Sequence, residues 1–256
     1  MFTASSLGGS SLSEGIQCDP RPKVVLLDAV GTVITPNPSV AAAYQNVGRS
    51  YGIELDEGII RDRFREAIQR YSVYAFQRDR GVVDTLRTDE QSELLRWQAI
   101  VRLVLSPTPE QERPVFRALW DHFGQPENWQ LFGDVLPTLS FLREQGFRLG
   151  LASNFDRRLR PIVENLLGEY QLELFISSEV GWVKPAAAFY AEVTGQLDVS
   201  PNQILLIGDD WENDVSAPRK FGWQTLYLRR DGKPGDSDKS NAYDNLRHAV
   251  GDILPV

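Results

Sequence analysis

Residues Lys23–Thr35 read "KVVLLDAVGTVIT". Four apolar residues, Val24 to Leu27, run into one carboxylate, Asp28, and a Gly-Thr turn follows at Gly31 and Thr32. A continuous apolar run this short suits a strand covered on both faces, as in a parallel sheet. Two further runs repeat the design. "FRLGLA" ends at Ser153 and Asn154, and "ILLIG" ends at Asp209 and Asp210. Helical patterns lie between them. "DVLPTLSFLREQG" has apolar residues at helical spacing and stops at Gly146. "DRRLRPIVENLLG" opens on Asp156 as a candidate N-cap, and "PAAAFYAEVTGQL" carries its proline in the first turn, where the missing N–H does no harm. More strands are expected at "ELFISSE" and "QTLYLRR", and a closing helix at "AYDNLRHAVGDIL". Strand-helix alternation of this kind predicts an α/β fold.

The stretch from about Pro38 to Trp129 has a different period. "VAAAYQNVGRSYG", "DEGIIRDRFREAIQRYSVYAF", "TDEQSELLRWQAIVRLVLS" and "PEQERPVFRALWDHFG" are amphipathic helical patterns with no strand between them. A helical module is therefore inserted after the first strand. The predicted division is a disordered tail over 1–20, an α/β core over 21–37 and 130–256, and the helical module over 38–129. Trp97, Trp120, Tyr71 and Phe116 read as module core rather than as a ligand platform. "RRDGKPGDSDKSN" reads as a polar loop.

Composition narrows the function. The chain has 256 residues, 42% hydrophobic and 24% charged, with a net charge of -8. That charge argues against a nucleic-acid or anionic-membrane partner. The one cysteine, Cys18, leaves no disulfide framework or thiolate metal site, and fits a reducing cytoplasm. No apolar run approaches the roughly 20 residues of a membrane span. The Ser- and Gly-rich first 20 residues lack the apolar core of a secretory signal.

In an open parallel sheet, ligands bind beyond the carboxyl ends of the strands. That edge would carry Asp28, Ser153 with Asn154, and the cluster "GDDWEND" (Asp209, Asp210, Glu212, Asp214). Carboxylates crowded together trap a proton or bind a cation. Oxygen-only ligands select a hard ion, with magnesium the best fit. The two histidines, His122 and His248, lie outside these segments and read as surface or packing residues. Lys184, in "GWVKPAAAF", is one of five lysines and offers a cation to a phosphate or to the nucleophile.

"DAVGT", "LASNFD", "GWVKP" and "GDDWEND", in this order and spacing, resemble the four motifs of the haloacid dehalogenase-like (HAD) hydrolase superfamily. The resemblance extends from Arg21 onward. "SNFDRRL" and "GWVKP" look closest to the group called haloacid dehalogenase-like hydrolase domain-containing protein 3. It implies a Rossmann-like parallel-sheet core with an inserted helical cap. It also implies that Asp28 is the nucleophile that forms an aspartyl-phosphate. Magnesium would be held by Asp28, Asp209 and the main-chain carbonyl of Val30, with Asp214 supporting the site through water or Lys184. Ser153, the Asn154 N–H and Thr32 would bind the phosphate of a small phosphorylated molecule, and Lys184 would stabilise the charge of the transferring group.

One position departs from the pattern. Phosphatases of this superfamily carry a second aspartate two residues after the nucleophile, as general acid-base, and here that residue is Val30. Taken alone, Val30 reads as one more buried strand residue. Loss of an acid-base removes roughly a hundredfold to ten-thousandfold in rate. The leading reading is a magnesium-dependent hydrolase whose substrate has a good leaving group, or which takes help from a cap glutamate, arginine or His122. The alternative is a non-catalytic protein that binds a phosphorylated ligand or a protein partner. Phosphonate cleavage needs a cap lysine, which this cap lacks, and the retained carboxylates argue against a metal-free dehalogenase. Trp211 is expected to pack its loop against the sheet, and Arg157 and Arg158 read as helix-surface charges.

Overall fold

The computed structural model describes residues 21–230 and 242–253. The tail 1–20 with Cys18, and the polar loop beyond Arg230, lie outside them. The chain opens with β1 (Val24–Leu27) and a short β2 (Ile34–Pro36). Five helices follow: α1 (Val40–Ser50), α2 (Glu57–Arg70), α3 (Val73–Asp79), α4 (Glu90–Leu105) and α5 (Pro109–His122). After β3 (Trp129–Leu131) come α6 (Val135–Glu144), β4 (Arg148–Ser153), α7 (Leu159–Leu167), β5 (Glu173–Ile176) and α8 (Ser177–Val180). The last elements are α9 (Ala187–Leu197), β6 (Ile204–Gly208), α10 (Ala217–Phe221), β7 (Gln224–Leu228), β8 (Ala242–Tyr243) and α11 (Leu246–Ile253).

Six strands form one parallel sheet in the order β5-β4-β1-β6-β7-β8. β1 lies between β4 and β6, with Leu27 level with Leu151 and Ile207. Successive side chains of a strand point to opposite faces. Val25 and Leu27 accordingly join Leu139, Leu142, Ile162 and Val250 from α6, α7 and α11. Val24 and Leu26 join Phe189, Tyr190 and Val193 from α9, together with Trp223. All four β1 residues are completely buried, which is why the run has no polar alternation. Each such side chain contributes roughly 1.5–3 kcal/mol of apolar burial.

The five helices build a core of their own around Tyr44, Ile60, Ile100, Val104 and Leu119. The segment leaves and re-enters the α/β part through the antiparallel pair β2 and β3, where Pro36 faces Trp129. The pattern over 56–76 is two helices rather than one. α2 ends at Arg70 with Tyr71 as its C-cap, and the Ser72 hydroxyl accepts the Ala75 N–H as N-cap of α3. Asp156 is likewise not the N-cap of α7, which opens at Leu159; its carboxylate accepts the Arg158 N–H in a preceding turn. Pro185 precedes α9 instead of occupying its first turn. Trp211 does pack on the sheet, its ring 5.3 Å from that of Tyr227 on β7. Among the described residues no helix is long and apolar enough to cross a membrane.

Candidate active site

The carboxyl ends of β1, β4 and β6 converge on one spot. Asp28 follows β1, and its N–H is held by the Ile207 carbonyl at 2.9 Å. Asp209 follows β6, and Asp214 sits on a π-helical turn, Trp211–Ser216. Oxygens of Asp28, Asp209 and Asp214 all lie within 4.8 Å of one another. Lys184 arrives from the loop before α9. Its Nζ donates to Asp28 Oδ1 at 2.8 Å, Asp214 Oδ1 at 2.6 Å and the Ala152 carbonyl at 2.7 Å. The loop that aims this lysine is locked by Asn154. The Asn154 amide donates to the Lys184 carbonyl and accepts the Lys184 N–H, both at 2.8 Å.

Two glycines let these groups approach. Gly31 has φ +92°, and a Cβ there would collide with the Asp209 carboxylate. A Cβ on Gly208 would overlap Asp214. Asp214 and Lys184 are nearly completely buried, Asp28 is 9% exposed, and Asp209 stands at the open side of the cluster.

Burial pushes the carboxyl of Asp28 above the ordinary range; Lys184 opposes this and Asp209 adds to it. Burial raises Asp209 as well. Asp214 is pushed up to about 6 by burial, against the pull of Lys184. Burial alone would lower Lys184, but Asp214 and Asp28 outweigh it and hold the ammonium charged. Three carboxylates against one ammonium leave two excess negative charges. A hard dication with oxygen ligands fits that donor set.

Several sequence readings change here. Thr32 is completely buried, and its hydroxyl is committed to Asp209 Oδ1 at 3.0 Å, so it orients a carboxylate rather than meeting a phosphate. Ser153 closes β4 and is buried. Val30 is not a core residue: its side chain is 36% exposed and lines a cavity of about 250 Å³ between the helical segment and the sheet edge. Trp97, Phe116 and Trp120 line the same cavity, so they form a wall facing open space as well as a core. Tyr71 stays in the helical core.

Arg158 is no surface charge. It pairs with the buried Asp156 at 2.7 Å, donates to the Trp120 carbonyl at 3.0 Å and lies over the Trp120 ring. Arg157 is exposed, but it bridges to Glu90 at the start of α4. His122 is half-buried, with Nδ1 beside Asn128 and its ring edge-on to Phe123. Glu90, which also accepts from Ser178, was given no role by the sequence, because nothing local marks a helix-surface glutamate as a bridge.

The model of the haloacid dehalogenase-like hydrolase family matches residues 22–222. The chain belongs to this family. The mouse haloacid dehalogenase-like hydrolase domain-containing protein 3 is 26% identical over 243 residues, spanning 91% of this chain and 93% of that protein. A HAD phosphatase from Thermococcus onnurineus superposes with a TM-score of 0.62 at 22% identity, over 91% of this chain and 98% of its own. The defluorinating L-2-haloacid dehalogenase Rha0230 gives 0.70 at 16% identity, over 92% and 96%. These two likenesses show the shared HAD fold. Since one is a phosphatase and the other a dehalogenase, the chemistry of this chain has to be argued from its own side chains.

Proposed function

We propose that the protein is a magnesium-dependent phosphoryl hydrolase of the reducing cytoplasm, acting on a small phosphorylated molecule through an aspartyl-phosphate on Asp28. The observation that carries this reading is the buried Lys184 bridging Asp28 and Asp214, with Asp209 close enough to leave a dication-sized charge deficit. Magnesium would be held by Asp28, Asp209 and the Val30 carbonyl, with Asp214 in support. When bound, it supplies charge neutralisation at the phosphoryl oxygens.

Asp28 is the nucleophile, and its bond to Lys184 fixes the carboxylate at the end of β1. Lys184 also offers positive charge to the equatorial oxygens as charge develops there. Ser153 and the Asn154 N–H bind phosphoryl oxygens. The helical segment acts as a cap over 38–129. No carboxylate or imidazole lines the cavity among the described residues, and Tyr44, which does line it, is made a weaker acid than an ordinary tyrosine by burial, so no carboxyl or imidazole there replaces the proton donor missing at Val30. The substrate must therefore bring a leaving group that departs without a proton.

Val30 also favours a second reading, a protein that binds a phosphorylated ligand without turning it over. Acid quench during turnover of acetyl phosphate separates the two. Mass spectrometry should find one phosphoryl group on the peptide that contains Asp28; turnover without it would exclude the covalent route.

A further inference from the structure

We propose that the substrate is a phosphomonoester of an apolar aryl alcohol, its ring system seated in the cavity beside Val30 and its phosphate at Asp28. The inference rests on the hydrolase reading above and narrows it.

The cavity wall carries the first line of support. Val30 and Asn154 both belong to it, so the space reaches the segments that follow β1 and β4, with Val30 two residues beyond Asp28. Phe64, Trp97, Phe116 and Trp120 supply aromatic faces. Among the described residues the one charged side chain on the wall, Arg158, is neutralised by Asp156 and occupied by the Trp120 carbonyl. Asn154 is likewise occupied by the Lys184 backbone. A sugar or polyol would lose its water and meet only the Tyr44 hydroxyl and the Trp97 and Trp120 indole N–H groups as polar partners on the wall, and each hydroxyl left unmatched costs on the order of tenfold or more in affinity. An apolar cavity of about 150 Å³ is enough to hold benzene. One of about 250 Å³ therefore has room for a substituted or fused aromatic ring.

The missing proton donor gives a second, independent line. An alkoxide leaving group resembles hydroxide, the anion of a far weaker acid than any phenol. A phenoxide resembles the tyrosine anion, whose conjugate acid has a pKa of about 10. Only the second departs readily unprotonated. The Asp28 oxygen forms its bond to phosphorus while the P–O bond to the ring breaks, and the electron pair leaves on the aryl oxygen as phenoxide. Water then adds to phosphorus, the P–O bond to Asp28 breaks, and the carboxylate returns. The proton released by water enters solvent, where the phenoxide takes one up. The balance is ester plus water to phenol plus phosphate. The apolar wall and the absent acid select the same chemical class.

Two measurements on the full chain test this, and they fail separately. The first is binding of 2-naphthol, followed by quenching of tryptophan fluorescence, since Trp97, Trp120 and Trp129 line the cavity. Saturable quenching is expected, weakened at least tenfold in Val40→Trp, which fills the rim, and in Trp97→Ala, which strips the wall. Melting curves accompany both variants, and either one that folds suffices. The second is kcat/KM with magnesium on 2-naphthyl phosphate, glycerol 2-phosphate and acetyl phosphate. Naphthyl phosphate should exceed glycerol phosphate at least a hundredfold, and Val40→Trp should harm naphthyl phosphate at least tenfold more than acetyl phosphate. Turnover of acetyl phosphate with no naphthol binding, or no preference over glycerol phosphate, would overturn the inference and leave the hydrolase reading standing. Naphthol binding that the variants weaken, with no turnover of any ester, would sink the hydrolase reading and keep the aryl site.

Discussion

The sheet edge and the helical wall above it solve opposite problems within one site. At the edge, Asp28, Asp214 and Lys184 are almost dry, and their geometry is fixed from three strands and a locked loop. Across the cavity, aromatic side chains offer area with no free charge. Val30 stands on the seam, where the charged region ends and the apolar one begins. The proposed function puts reactivity at the sheet edge and selectivity at the helical wall. Substitutions on the two sides should therefore have distinguishable signatures.

The largest effect belongs to Asp28. Asp28→Asn should lower kcat on acetyl phosphate by at least about four orders of magnitude, because the amide is a poor nucleophile. Retained turnover would break the assignment of chemistry to the edge. Affinity for phosphate should hold or improve in this variant, since a negative charge facing the ligand has gone.

Lys184→Met comes next. It leaves Asp28 and Asp214 buried without their ammonium, and removing one partner of such a network costs about 3–5 kcal/mol. Urea denaturation should show that loss. Arg102→Ala, which breaks an exposed pair with Glu112, should change stability by under about 1 kcal/mol. Equal losses in the two variants would mean that the edge is not special.

Val30→Asp sharpens the seam itself. Because the side chain is 36% exposed, the new carboxylate reaches water, and the variant is expected to fold. Turnover of glycerol 2-phosphate should rise about ten- to a hundredfold, with little change for acetyl phosphate, which needs no proton. A folded variant with no gain would place the missing function elsewhere.

The smallest effect is that of pH on metal affinity. Magnesium needs ionised carboxylates, and burial pushes Asp214 up to about 6, with Asp28 and Asp209 raised as well. Protons therefore compete as pH falls through 6, and calorimetry should show affinity severalfold weaker at pH 5.5 than at pH 7.5. Asp209→Ala should abolish most of it at either pH.

The strands of the edge were legible because each is a buried apolar run that stops abruptly at a polar residue, and three such stops imply one site. The helical wall was less legible. Trp97, Phe116 and Trp120 satisfy the same helical period whether they meet another helix or an empty cavity, so periodicity marks the face but not what lies beyond it. β2 and β3 are three residues each, too short for alternation to register. Arg158 was missed because its partner carbonyl, that of Trp120, lies 38 positions away in the chain. The split between α2 and α3 rests on one serine hydroxyl within an unbroken amphipathic pattern.

The position of β1 has a consequence for synthesis. Val24 pairs with Arg148 and with Ile204, so neither neighbour of the central strand exists until well over a hundred further residues have been made. At about 5–20 residues per second, that interval lasts several seconds or more. The helices over 40–122 depend on nearer contacts, a class that forms fast, so they are expected to be in place while β1 is still unpaired. The nascent chain is thus expected to carry the "VVLL" strand exposed ahead of a folded helical bundle, and Asp28 to reach its final setting among the last events of folding, when β6 docks and Asp209 and Asp214 close around it.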